Sequence, residues 1–133
     1  MIEQTLKKWH KMLESGDNSR LSEILADDVV FHSPVVHTPQ AGKSITTLYL
    51  SAASDVLGGE KFHYLREVVD GNHAILEFQT EIDGIAINGV DMISFDENGL
   101  INDFKVMVRP LKAINLVHQK MGEMLQKMAP KAS

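Results

Sequence analysis

Two hydrophobic periodicities divide the chain. Up to Leu57 apolar residues recur every three or four positions; from Phe62 to Pro110 they alternate. Ile2, Leu6, Trp9 and Leu13 share one face at helical spacing, with Lys7, Lys8 and Lys11 mostly on the other, which predicts an amphipathic first helix. "SGDNSR" stops it, with Gly16 as a natural C-terminal cap. Asp17 or Ser19 can cap a second, short helix over "RLSEILA", which the acids Asp27 and Asp28 close. "VVFHS" reads as a short strand reaching Ser33-Pro34. A loop with two prolines then leads to Gly42-Lys43-Ser44, which opens a third helix. Its expected buried stripe is Ile45, Leu48, Tyr49 and Ala52, and "VLGGE" ends it.

Beyond Phe62 the pattern is that of strands. In "HAILEFQTEID", Leu76, Phe78, Thr80 and Ile82 point one way and Glu77, Gln79, Glu81 and Asp83 the other, as in an antiparallel strand with one face on a core. Asp70-Gly71-Asn72 marks a hairpin turn before it. "DMISFDENGLINDFKVMVRPL" predicts two further strands around Asp96-Glu97-Asn98-Gly99, ending at Pro110. "LKAINLVHQKMGEMLQKM" predicts a closing helix with Leu111, Ile114, Val117, Met121, Met124 and Met128 as its apolar positions, Gly122 being its weak point. The expected fold class is α+β: a curved, mostly antiparallel sheet wrapped around helices.

Composition narrows the class. The 133 residues suit a single domain spanning 1–133. A net charge of −5 argues against a nucleic-acid or anionic-membrane partner, either of which needs a basic face. The absence of cysteine excludes disulfides, thiolate chemistry and cysteine-based zinc sites. No apolar run is long enough to span a membrane. "MIEQTLKKWHKML" mixes charges among its apolar residues, unlike a signal peptide, so a cytoplasmic protein is expected. Gly58-Gly59 lacks the lysine and helix opening of a phosphate loop, and no nucleotide or other cofactor is expected. His10, His63, His73 and His118 are scattered, no two histidines have the i, i+4 spacing of a zinc site, and no metal is expected.

The strings "LKKWHKMLESGD", "ILADDVVFHSPV", "AGKSITTLYL" and "GVDMISFDENGLINDFKVMVRPL", in this order, resemble the nuclear transport factor 2-like superfamily, and within it the SnoaL-like and ketosteroid isomerase-like branch. The resemblance implies a cone: a strongly bent sheet around helices, enclosing a deep apolar pocket. Such scaffolds host isomerases, cyclases, dehydratases and proteins without chemistry, so function rests on the site. In the isomerases, the resemblance implies, a carboxylate just before a proline at the end of the first strand is the general base. Here Ser33 stands there, and a serine hydroxyl cannot shuttle a proton at neutral pH without a base beside it. The family's tyrosine donor on the first helix falls on Trp9, whose indole N–H can donate but offers no acidic hydroxyl. The family's sheet aspartic acid, held protonated to donate to an oxyanion, falls on Asp91. Steroid isomerisation by the family mechanism is therefore not expected.

Asp91 has an argument of its own. Alternation along "VDMISF" places it on one face with Ile93 and Phe95, where desolvation raises a carboxyl pKa into the range of an acid–base group. Two readings stay open: a catalytic acid–base, or an anchor that hydrogen-bonds Trp9 or a backbone amide and holds the pocket in shape. His37, in the loop after Pro34, is the candidate base for Ser33 or for a substrate if it reaches the pocket mouth. Trp9, Phe31, Ser33, Tyr49, Phe62, Leu76, Phe78, Ile93, Phe104 and Val106 are the candidate ligand-binding residues, a concave apolar set suited to a small hydrophobic molecule. Two functions from different classes follow: a cofactor-free isomerase, cyclase or dehydratase using Asp91, and a non-catalytic binding or dimerisation domain. A homodimer is expected through the outer sheet face. There Met92, Met107 and Ile75 form an apolar centre and Glu77, Glu81, Lys105 and Arg109 a charged rim.

Overall fold

A computed structural model describes residues 1–128; residues 129–133, the end of the expected domain, lie outside the described residues. The elements run α1 (Ile2–Ser15), a 3₁₀ turn (Leu21–Ile24), β1 (Leu25–His32), β2 (Gln40–Ala41), α2 (Lys43–Leu57), β3 (His63–Asp70), β4 (His73–Ile82), β5 (Ile85–Phe95), β6 (Ile101–Arg109) and α3 (Leu111–Met128). The strands form one curved, unclosed sheet in the order β2-β1-β6-β5-β4-β3. All pairs are antiparallel except β1 with β6, which run parallel.

The second helix expected over "RLSEILA" is only the 3₁₀ turn, and the strand begins four residues earlier than "VVFHS". Leu21, Ile24, Leu25 and Val29 are all buried, and Leu25 already pairs with Ile101 of β6. Tertiary pairing there overrides local helix propensity. A register shift between Leu25 and Val30 leaves Asp27 and Asp28 both exposed, which hides the strand's alternation. The α2 stripe is also rotated: Thr46, Leu50, Ala52 and Leu57 are buried, while Ile45, Leu48 and Tyr49 are only half-buried.

The concave face of the sheet carries the core. Phe31, Phe78, Phe95 and Phe104 are each no more than 2% exposed. Burying such a side chain is worth about 1.5–3 kcal/mol. Against them α1 packs Leu6, Trp9 and Met12, α2 packs Leu50 and Leu57, and α3 packs Ala113, Val117 and Met121. The N-terminus of α1 is fixed by Thr5, whose Oγ1 donates to the Gly99 carbonyl in the β5–β6 turn at 2.6 Å. Gly89 of β5 faces Phe78 across the β4–β5 ladder. A Cβ there would collide with the Phe78 ring and sit 2.8 Å from the Met107 carbonyl oxygen, so the missing side chain is what lets the ring lie across the strand.

On the convex face Val68, Ile75, Val90, Met92 and Met107 adjoin through the ladders, with Val68 58% and Met107 50% exposed. Val68 and Val90 extend the expected apolar centre. The glutamates of its rim already have partners within the chain. Glu77 accepts from Arg66 Nε and from Asn88 Nδ2, and Glu81 pairs with Lys61 at 2.9 Å. Lys105 and Arg109 make no ion pair among the described residues.

Candidate functional site

Three elements converge on Asp91. Its position on β5 points it to the concave side, opposite Leu76 of β4 and Val106 of β6. Tyr64, two residues into β3, donates its hydroxyl to Asp91 Oδ2 at 2.7 Å. Trp9 of α1 donates its indole Nε1–H to the same Tyr64 oxygen at 2.9 Å. The relay is directional: indole to phenol to carboxyl. Among the described residues Asp91 Oδ1 has no hydrogen-bond partner. The Tyr64 ring is held edge-on by His10 at 5.2 Å and by Phe62 at 5.1 Å, and His10 Nε2 in turn meets Glu67 Oε1 at 2.6 Å.

Burial sets the protonation of this pair. Asp91 is 5% exposed, and loss of hydration pushes its pKa up to about 7, with the Tyr64 hydrogen bond pulling the other way. Tyr64 is pushed well above the ordinary phenol range, first by burial and then by the Asp91 charge, so it remains a donor. At neutral pH the carboxyl therefore divides its time between acid and base, the condition under which one group can both take and return a proton.

Asp91 opens onto a cavity of about 50 Å³ whose walls are otherwise almost wholly apolar. Trp9, Phe31, Phe62, Phe78, Phe104 and Val106 line it, as does Ser33 at one end. Four of the expected site residues are elsewhere. Leu76 and Ile93 are buried in the core behind the cavity. Tyr49 lies outside the wall against Phe31, ring centroids 5.6 Å apart, because α2 is rotated relative to its apparent stripe. His37 is exposed in the loop and lines an outer groove with Pro39 and Lys105. It does not line the Asp91 cavity. Ser33 Oγ accepts the Val35 N–H at 3.1 Å, so the hydroxyl closes a turn, and no base among the described residues is bonded to it.

The sequence reading missed Tyr64 and the contribution of α3. Tyr64 shares the parity of Phe62, which was a usable signal, but the bulge between Tyr64 and Arg66 breaks the alternation of β3. Val117 and Met121 were legible as apolar positions of the closing helix; that the helix folds back over the cavity was not. Among the described residues no group of three or more His, Asp or Glu side chains is placed to hold a metal ion. No helix among them is long and apolar enough to cross a membrane.

Residues 6–104 match the SnoaL-like domain. The chain belongs to that family. No curated protein matches it in sequence. Among solved structures, this SnoaL-like domain is similar to a steroid delta-isomerase from Pseudomonas aeruginosa, with 36% identity over 95% of this chain and 92% of the relative, at a TM-score of 0.90. A protein of cystatin-like fold from Silicibacter pomeroyi is 29% identical over 93% of this chain and 86% of its own, at a TM-score of 0.85. A de novo designed protein with a curved β-sheet superposes at a TM-score of 0.72 with 17% identity, over 96% of both chains. That designed chain shows the fold alone. A SnoaL-like cone is thus a scaffold whose function lies in its lining.

Proposed function

We propose that the chain binds a compact, mainly apolar molecule in the Asp91 cavity and moves a proton on it without a cofactor, as an isomerase, cyclase or lyase does. One observation carries this reading: a carboxyl with its pKa near 7 faces an apolar cavity, held by one hydrogen bond from Tyr64 and with its other oxygen unpartnered. In its ionised form Asp91 accepts a proton from carbon next to a carbonyl. In its protonated form it returns that proton elsewhere on the same molecule. Tyr64 stays a neutral donor and keeps the carboxylate from drifting further toward the acid form.

The steroid delta-isomerase from Pseudomonas aeruginosa supports the reaction class by its likeness to this chain, but two features argue against a steroid substrate here. Ser33 stands where the family places its base, and its hydroxyl is engaged in a turn. The cavity of about 50 Å³ is far below the ~300–1,000 Å³ of drug-sized ligand sites. The alternative is a binding domain in which Asp91 only anchors Tyr64 and Trp9, and the Trp9–Tyr64–Asp91 relay favours it. Asp91→Asn separates the two. Once a ligand is found by its effect on Trp9 fluorescence, the enzyme reading expects the variant to bind within a few-fold of wild type and to turn over at least ~100-fold more slowly. Unchanged turnover, or no turnover in wild type, leaves the anchor.

The chain forms a homodimer through the convex face in this reading. The support is the exposed Val68 and Met107 at the centre of a half-buried Ile75–Val90–Met92 patch, with the unpaired Lys105 and Arg109 at its rim. Because Glu77 and Glu81 are engaged within the chain, the apolar centre supplies the association and the rim supplies orientation. Light scattering at micromolar concentration is expected to give a dimer mass for wild type and a monomer mass for Met107→Glu. A monomeric wild type ends this assignment.

A further inference from the structure

Beside the Asp91 cavity lies a second space. A groove of about 570 Å³ runs along His10, Glu14, Gly59, Glu60 and His63. The cavity and the groove share three wall residues, Leu13, Phe62 and Tyr64. Tyr64 is fixed by its bonds to Trp9 and Asp91, and Leu13 sits in α1. Phe62 is different. It precedes β3 and follows Gly58-Gly59; its backbone N–H donates to the Gly59 carbonyl at 3.2 Å, while its ring stacks on Phe78 at 5.3 Å and meets Tyr64 edge-on. Its ring thus stands as a partition between a 50 Å³ apolar recess and a roomy polar vestibule.

The vestibule carries two imidazoles and two carboxylates, and both imidazoles are engaged, His10 with Glu67 and His63 Nδ1 with the Lys61 carbonyl at 3.1 Å. Glu14 and Glu60 are exposed and have no ion-pair partner among the described residues. His10 is occupied by Glu67, and the neighbouring Lys61 is turned to Glu81. At its other end the cavity abuts a different groove, with His32, His37 and Lys105, across Ser33, Pro34 and Val106. That wall is a turn pinned by the Val35 N–H to Ser33 Oγ bond, with no free aromatic ring to swing aside.

We infer that ligands reach Asp91 from the groove beside His10, past Phe62, and that Glu14 and Glu60 make this entrance select apolar molecules with a neutral or cationic polar end over anionic ones. The inference rests on the ligand-binding reading above. The ring of such a molecule fills the recess next to Asp91, and its polar end stays in the vestibule. Carboxylates, sulfonates and phosphates are disfavoured there by like charge.

Three matched probes test it: 3-phenylpropylamine, 3-phenylpropanol and 3-phenylpropionate share a ring and a tail and differ in end charge. Trp9 is the only tryptophan, so its indole N–H resonance reports each titration. At low ionic strength the amine is expected to bind about five-fold tighter than the propionate, with the alcohol between them. Glu14→Gln/Glu60→Gln is expected to narrow that ratio while leaving alcohol affinity unchanged. Asp91 is common to both proteins, so the difference between them reports the entrance alone. Propionate binding as tightly as the amine overturns the inference. So does a ratio that survives the double variant, or a charge preference that responds to Lys105→Gln instead. Silence of Trp9 toward all three probes overturns the ligand-binding reading itself, and the inference with it.

Discussion

At pH 8, Asp91→Asn is expected to unfold at a higher temperature than wild type by several degrees. In the unfolded chain an aspartate loses its proton near 3.8; in the folded protein Asp91 holds it up to about 7. Between those values the folded state carries a proton that the unfolded state has released. Stability contributed by the protonated carboxyl is therefore fully present below about pH 4 and is lost as pH rises through 7. A rise from 3.8 to about 7 corresponds to a loss of about 4 kcal/mol at most. An asparagine keeps an acceptor for the Tyr64 hydroxyl and has no charge to desolvate, although its buried amide N–H group offsets part of the gain. A net gain of about 2 kcal/mol at pH 8 remains, with little or no gain at pH 5. Thermal unfolding of both proteins at the two pH values checks it. A variant-minus-wild-type difference that does not change with pH would rule out the raised pKa on which the acid–base reading stands. A gain at pH 8 would place Asp91 among residues that a fold carries at the expense of its own stability.

Tyr64→Phe is expected to lower stability by about 3 kcal/mol at pH 8 and by less at pH 5. Removing the hydroxyl orphans two groups at once. The buried Trp9 Nε1–H loses its acceptor at every pH, a loss of about 1–3 kcal/mol. Asp91 loses its one donor among the described residues, a loss that is larger when the carboxyl is ionised. The same substitution is expected to raise the Asp91 pKa above 7, because the Tyr64 bond is the influence that lowers it. A carbon-13 titration of the Asp91 carboxyl reads that shift directly. The double variant with Asp91→Asn gives the coupling, and additive effects of the two substitutions would mean that the relay is not one unit. If activity is found, the Tyr64→Phe pH–rate profile should move upward with the carboxyl, a displacement that a merely structural tyrosine would not produce.

The architecture was legible in the sequence because it rests on local periodicity. The face of α1 bearing Leu6 and Trp9, the alternation of β4 and the turn at Asp70-Gly71-Asn72 each follow from neighbours a few residues apart. Parity alone also placed Asp91 on the concave side with Ile93 and Phe95. Where the local signal was broken by long-range pairing, the sequence misled. The β1 bulge made a strand resemble the end of a helix, and the rotation of α2 moved Tyr49 out of the cavity wall.

The site itself came from packing. Trp9, Tyr64 and Asp91 lie on α1, β3 and β5, and the bonds joining them span 55 and 27 residues. No spacing rule covers such distances, since the contacts depend on where sheet curvature brings separate elements together. The raised pKa of Asp91 is likewise a property of its surroundings: the sequence shows apolar residues beside it, but the degree of desolvation depends on α1, α3 and the aromatic wall closing over it. The order of residues thus tells which side chains are available and which way each strand residue points. Which of them touch, how little room they leave and which one stands at the entrance follow from how the elements pack, because free volume is what remains after every element has found its place.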